Sequence, residues 1–238
     1  MKLSIIIPAF NEEKTIEQTL QKVSFVDIPH VVKEIIVVND GSSDETELRI
    51  KNYELRNKNI QIISHKKNLG KGAAVRTGIE RATGEYIVIQ DADLEYNPED
   101  IVHLLEPIQK KQAQVVYGTR LKRLPSFTHH ERTLQFLLHY LGNKLLSSLT
   151  SILYGQWITD METGYKVFPR KAILPMVLRE KGFAFEPEIT AKLCKAGYKI
   201  VEVPITTNPR GYHEGKKLQT VPDGIGALWG IVKYRFRD

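Results

Sequence analysis

The sequence predicts an α/β chain, a single domain with a mostly parallel central sheet flanked by helices. Short runs of Ile and Val recur through the first half, and helical patterns lie between them. Each run also ends in polar or acidic residues, the place where open α/β sheets bind ligands.

LSIIIPA (3–9) lacks polar alternation and is read as a strand buried on both faces. Glu12–Val23 follows with Ile16, Leu20 and Val23 at helical spacing. EIIVVND (34–40) is the second strand, and Ser43–Leu55 opens with the capping residues Ser-Ser-Asp. IQIISH (60–65), a helix over Lys71–Ala82 after glycine, and EYIVIQD (85–91) complete the half. Strand–helix–strand at this pitch is a βαβ sandwich. Its carboxyl edge then collects Pro8-Ala9-Phe10-Asn11-Glu12, Asn39-Asp40-Gly41-Ser42 and Asp91-Ala92-Asp93. In the second half VVYGT (115–119) is a strand, Thr133–Leu153 carries a wide leucine stripe, and Ile189–Ala196 is a helix.

Composition narrows the class. The 238 residues are 42% hydrophobic and 26% charged, which excludes disordered, collagen-like and coiled-coil chains. Cys194 stands alone, so no internal disulfide forms, and a reducing, cytoplasmic location is expected. The start carries no signal-peptide pattern, and Leu134–Ile158 is too often interrupted by polar residues to span a bilayer. Residues 1–118 carry 15 Lys and Arg against 18 Asp and Glu, whereas 119–238 carry 19 against 10. An acidic half suits a divalent cation; a basic half suits phosphate, nucleic acid or an anionic membrane. The Gly70-Lys71-Gly72 segment has Val75 where a dinucleotide fingerprint needs glycine, and no P-loop occurs. The histidines show no metal-ligand spacing.

The sharpest chemical signal is Asp91-Ala92-Asp93-Leu94-Glu95 at a strand end. In an extended chain the carboxylates at i, i+2 and i+4 point the same way. They offer hard oxygen ligands to Mg²⁺ or Mn²⁺ at a position shared with a bound diphosphate. Gly41 after Asp40 would allow a ligand to approach closely.

The motifs IIIPAFNEE (5–13), VVNDGSSDET (37–46), NLGKGAAVRTG (68–78), QDADLE (90–95), VYGTR (116–120) and DMETGYKVF (160–168) resemble the inverting family 2 glycosyltransferases of GT-A fold. Among these the chain is most similar to the polyprenyl-phosphate glycosyltransferases such as dolichol-phosphate mannose synthases. The resemblance implies one GT-A domain over 1–238, a Rossmann-like nucleotide-sugar donor half (1–118) and an acceptor half (119–238). It implies that Pro8, Ala9, Asn11 and Glu12 line the nucleotide pocket and that Asp40 receives the base or ribose. Lys71 would reach the diphosphate or the base. Asp91, Ala92 and Asp93 would hold the nucleotide, with Asp91, Asp93 and Glu95 as metal ligands. Glu95 stands where the mannose synthases commonly show Gln. Arg120 and Arg132 match positions that contact the lipid phosphate, and Arg210 with Lys216 matches a late basic loop closing over the diphosphate. Asp160 is either a general base or a group that orients the phosphate-binding arginines; Glu186 and Glu188 either join the pocket or open a helix.

The implied reaction is metal-dependent inverting transfer of a hexose, mannose or glucose, from GDP-mannose or UDP-glucose to a polyprenyl phosphate. Asp93, Arg120, Arg132 and Asp160 would carry it. It would take place peripherally on the cytoplasmic membrane face, reached through the protein surface or a membrane-anchored partner protein, with no nucleic acid involved. A transferase acting on a hydroxyl acceptor and a catalytically silent membrane-associated subunit are the alternatives.

Overall fold

The computed structural model describes residues 1–57, 59–120, 134–208 and 220–237. The chain runs in order through β1 (Lys2–Ala9), α1 (Ile16–Phe25), β2 (Val32–Asn39), α2 (Thr46–Glu54), β3 (Ile60–Ser64), α3 (Lys71–Arg81) and β4 (Tyr86–Ile89). The chain continues through α4 (Asp100–Gln109), β5 (Val115–Thr119), α5 (Leu134–Tyr154), β6 (Lys166–Pro169) and α6 (Arg170–Ile173). It closes with α7 (Phe185–Lys195), β7 (Ile200–Pro204) and α8 (Thr220–Phe236).

The strands form one sheet in the order β3-β2-β1-β4-β6-β5-β7. All neighbours run parallel except β6, which is antiparallel to both β4 and β5. That reversal matters for function. The amino end of β6 lies beside the carboxyl ends of the other strands, so the segment leading into it joins the same edge.

The predominance of apolar residues in β1 has a direct cause. Leu3, Ile5 and Ile7 pack into one layer with Ile16 and Leu20 of α1 and Ile101 and Leu104 of α4. Ile6 faces the other layer with Val75 and Ile79 of α3 and Phe185 and Ile189 of α7. A strand sandwiched between helices has no polar face to show. Burying each such side chain stabilises the fold by roughly 1.5–3 kcal/mol.

Several boundaries differ from the sequence expectation: α2 begins only at Thr46, with Glu45 at its N-cap and no side-chain cap bond, so Ser-Ser-Asp lies ahead of the helix and not at its N-cap. Two further differences bear on the site. The first helix begins at Ile16, because Glu12–Thr15 form a turn closed by Thr15 N–H and Ile16 N–H donating to Glu12 O at 3.1 and 2.9 Å. α7 starts earlier than expected, at Phe185, which places Glu186 and Glu188 inside its first turn.

Candidate active site

A cavity of about 360 Å³ opens at the carboxyl edge of the sheet. Its wall takes Pro8 and Ala9 from the end of β1 and Glu12 from the turn after it, Asp40 from just after β2, Lys71 from α3, Asp91, Ala92, Asp93 and Glu95 from the loop after β4, and Arg120 from just after β5. Tyr96, Glu162, Gly164, Phe183 and Glu186 are also on it. Its size falls within the range of small-molecule sites, ~300–1,000 Å³.

The loops are fixed by local polar contacts. Asp40 is nearly sealed, and its Oδ1 accepts Leu69 N–H at 3.0 Å while Oδ2 accepts Gly70 N–H at 2.8 Å. His65 Nδ1 meets the same carboxylate at 2.7 Å, and its Nε2 meets Thr77 Oγ1 at 2.9 Å. Asp40 therefore gathers the 65–70 loop against the cavity. A Cβ on Gly41, at φ +69°, would stand 2.3 Å from the Lys67 carbonyl carbon, so the close approach there is made by the chain itself. Asn11 is absent from the cavity wall. It adopts φ +49°, donates its N–H to Ser42 Oγ at 3.0 Å and accepts Ser43 N–H on Oδ1 at 2.8 Å, stitching the β1 loop to the β2 loop.

The acidic loop after β4 is a turn and not an extended segment. Leu94 sits at φ +62°, and Glu95 N–H donates to Asp93 Oδ1 at 3.1 Å. Asp91 Oδ1 is paired with Lys71 Nζ at 2.8 Å, and Lys71 also stands 3.3 Å from Glu186 Oε1. Burial alone would lower the Lys71 pKa, but these two carboxylates hold it above its ordinary value. Among the described residues no three His, Cys, Asp or Glu side chains converge closely enough to form a metal site by themselves. The donor chemistry nonetheless fits Mg²⁺ or Mn²⁺: Asp91, Asp93 and Glu95 supply only hard oxygens, on one wall, and such cations complete their shell with water and substrate phosphate.

Arg120, also on the cavity wall, is clamped. Its Nε and one terminal nitrogen each donate to Asp160 at 2.7 Å, and its backbone N–H donates to Asp160 Oδ2 at 2.9 Å. Asp160 has no exposure, and burial alone would raise its pKa; the Arg120 fork holds it below the usual carboxylate range instead. Asp160 thus lies behind Arg120, off the cavity wall. Its own loop is anchored by Glu202 of β7, which accepts Thr159 N–H at 2.8 Å and Asp160 N–H at 3.0 Å. Tyr96 carries the Arg120 guanidinium 6.0 Å from its ring centre and accepts Gly164 N–H on its hydroxyl at 2.9 Å.

The paired acids of α7 divide. Glu186 reaches the cavity and also pairs with the fully buried Lys166 at 2.5 Å. Glu188 turns away and accepts the backbone N–H groups of Arg179 and Glu180, each at 2.8 Å. Glu162, Tyr96 and Glu202 are structural members of this region that residue spacing did not single out. For Glu162 a signal existed, since it lies in the DMETGY segment beside Asp160. Arg132, Arg210 and Lys216 lie outside the described residues.

The sequence pattern of the family described as "Glycosyl transferase family 2" matches residues 4–174. The chain belongs to that family. It is a glycosyltransferase. It is 31% identical over 98% of its length to the low-salt glycan biosynthesis hexosyltransferase Agl6 of Haloferax volcanii, of which it spans about half, 52%. It is 32% identical to the UDP-N-acetylglucosamine–dolichyl-phosphate N-acetylglucosaminyltransferase of Methanococcus voltae, covering 85% of this chain and 84% of that one. With a dolichyl-phosphate β-glucosyltransferase of Trichomonas vaginalis, ALG5C, it shares 30% identity over 87% of its length and 64% of the relative's. Among solved structures, glucosyl-3-phosphoglycerate synthase from Mycobacterium tuberculosis, in complex with Mn²⁺, UDP and phosphoglyceric acid, superposes with a TM-score of 0.73 at 20% identity. That match covers 100% of this chain and 79% of the other, and establishes the GT-A fold of this glycosyltransferase.

Proposed function

We propose that the enzyme transfers a hexose, with inversion, from a nucleoside-diphosphate sugar such as UDP-glucose or GDP-mannose to a polyprenyl phosphate, with Mg²⁺ or Mn²⁺ bound. The observation that carries this reading is the meeting of opposite charges on the cavity wall: the acidic loop Asp91–Glu95 runs directly into Tyr96, and the clamped Arg120 guanidinium lies 6.0 Å from the Tyr96 ring centre. Relatives acting on dolichyl phosphate and a structural neighbour crystallised with Mn²⁺ and UDP support it.

In this mechanism Pro8, Ala9 and Glu12 receive the nucleoside, and the Asp40-ordered loop bounds its pocket. Asp91, Asp93 and Glu95 would hold the cation, which would neutralise the charge growing on the departing diphosphate. Arg120 holds the acceptor phosphate by two-point hydrogen bonding and aims one of its oxygens at the sugar C1. That oxygen forms the new C1–O bond as the bond to the nucleoside diphosphate breaks, and the bonding pair leaves with the diphosphate. A phosphate is already anionic at neutral pH, so this step needs no base. Asp160 therefore serves as a positioning residue for Arg120. The donor-half and acceptor-half division of the chain follows from the same assignment.

The membrane face is proposed on the α5–α8 pair. Tyr154 Oη donates to Ile231 O at 2.8 Å across it. Leu141, Leu145 and Ile152 of α5 and Ile225, Trp229 and Phe236 of α8 are all exposed. No helix among the described residues is long and apolar enough to cross a membrane, so contact would be made from the surface.

The test is a transfer assay with radiolabelled UDP-glucose and GDP-mannose against polyprenyl phosphate, with Mn²⁺ and with a chelator. Product should form with Mn²⁺ and drop sharply in EDTA and in Asp93→Ala, by several kcal/mol of charge stabilisation on general grounds. Full turnover in both would defeat the metal assignment. Transfer only to a non-phosphorylated sugar would defeat the lipid-phosphate assignment.

A further inference from the structure

Five buried side-chain polar atoms lack a hydrogen bond among the described residues: Ser24 Oγ, Arg49 Nε, Arg170 Nε, Glu162 Oε1 and Glu186 Oε1. Only the last two belong to the cavity wall, and both are carboxylate oxygens. Glu186 is 2% exposed, and among the described residues the cation paired with its Oε1, Lys71 Nζ at 3.3 Å, makes an ion pair without a hydrogen bond. A buried carboxylate oxygen without a donor is costly. Two of them on the wall of a ligand cavity point to donors that a ligand brings.

The surroundings decide the class of ligand. The other Glu186 oxygen is taken by Lys166, and Asp91 by Lys71, so the two lysines already balance much of the local charge. An anionic group is repelled by two carboxylates. A polyhydroxylated ring brings several neutral O–H donors and no charge to desolvate. Both oxygens also lie close to the acidic loop: Glu186 touches Lys71, which touches Asp91, and Glu162 precedes by two residues the Gly164 that abuts Asp91 Oδ2. They therefore border the space next to the proposed diphosphate position, where the sugar of the donor must sit.

We propose that Glu162 and Glu186 form the sugar-recognition wall of the enzyme, accepting hydrogen bonds from hydroxyl groups of the transferred hexose. The proposal rests on the donor assignment made above. It is also compatible with the proton content of the wall. Burial and the neighbouring Glu186 charge push the Glu162 carboxyl up to about 7, and a sugar hydroxyl can donate to the ionised form or accept from the protonated one.

The experiment is calorimetric titration of wild type and Glu162→Gln, in MnCl₂, with the nucleoside diphosphate that most stabilises the wild type in a thermal screen and with its hexose conjugate. Nucleoside-diphosphate affinity should be unchanged in the variant, and affinity for the conjugate should fall about tenfold or more, the scale of one lost charge-assisted hydrogen bond. Glu186→Gln also loses its lysine partners, so wild type titrated with singly deoxygenated hexose conjugates gives the parallel measurement. At least one deoxy conjugate should bind wild type about tenfold more weakly, and Glu162→Gln should no longer distinguish it from the parent. An unchanged preference for the hexose conjugate in Glu162→Gln, or wild type indifferent to every deoxygenation, would overturn the sugar wall while leaving the donor site standing. Failure of the wild type to bind any nucleoside diphosphate would instead overturn the donor assignment, and this inference with it.

Discussion

Gly164 shows how narrowly a single residue can set the site. A Cβ at this position would stand 2.4 Å from Asp91 Oδ2 and 3.1 Å from the Tyr96 ring. Neither neighbour can retreat easily, since Asp91 is paired to Lys71 and the Tyr96 hydroxyl is held by Gly164 N–H. Gly164→Ala should therefore displace the acidic loop and lower kcat/KM by about 10²-fold, the cost of an ångström-scale misplacement. A near-wild-type rate in steady-state assays would show the loop to be more pliant than its contacts imply. Asp160 leads to a different expectation. Because Arg120 keeps its carboxylate ionised, Asp160→Asn should slow transfer by loosening the guanidinium and raise the acceptor KM more than the donor's. Measured pH–rate profiles of wild type and variant should share the same acid limb. A carboxylate titration present in wild type and abolished in Asp160→Asn would make Asp160 a base.

At the scale of elements, Glu34 on β2 acts as a clamp. It accepts Thr83 N–H at 2.6 Å and Gly84 N–H at 3.0 Å from the turn before β4, and pairs with Lys2 of β1 at 2.6 Å. Partial burial opposes its ionisation, but the contacts from Lys2, Ser4 and Thr83 prevail and hold its pKa at about 2 against an ordinary 4.5. A depressed carboxyl contributes stability that is complete above pH 4.5 and is lost as the pH falls towards 2. After allowance for solvent screening the contribution is on the order of 1–2 kcal/mol. Urea unfolding midpoints measured through that window should fall more steeply for wild type than for Glu34→Gln. The α5–α8 face gives a second expectation. Replacing Trp229 and Leu145 together by Glu should weaken flotation with phosphatidylserine-containing vesicles several-fold while sparing nucleotide binding. Equal flotation would place the membrane contact elsewhere.

Across the whole molecule, legibility in the sequence followed burial. β1, β2 and β4 read clearly because both faces of Ile5–Ile7, Ile35–Val38 and Ile87–Ile89 are sealed, which leaves only apolar residues in those runs. β6 did not: it is short and carries Lys166, whose burial is made tolerable only by carbonyls of Met161 and Thr163 and by Glu186, twenty positions away. The acidic residues of the site were legible for the same reason as the strands, since they fall where the apolar runs stop. Their geometry was not, because a left-handed Leu94 turns what reads as an extended segment. Glu186 was legible as one of two acids that either join the pocket or open a helix, but which of the pair reaches the cavity was not, because its partners Lys71 and Lys166 lie on other elements that only the fold brings together.

The reversed strand also bears on how the enzyme is born. β4 hydrogen-bonds to β1 on one side and to β6 on the other, and β6 is synthesised some eighty residues later. Until it arrives, the emerging first half would display an unpaired apolar strand, the kind of edge on which chains aggregate. Arg120, Glu162 and Glu186 would still be missing from it as well. Expression of residues 1–118 alone should accordingly give aggregates, or a loosely packed species lacking dispersed amide NMR resonances and nucleotide affinity. A soluble fragment that binds nucleotide would mean that the nascent chain is protected from the start, and that the late strand completes the catalyst without being needed to complete the fold.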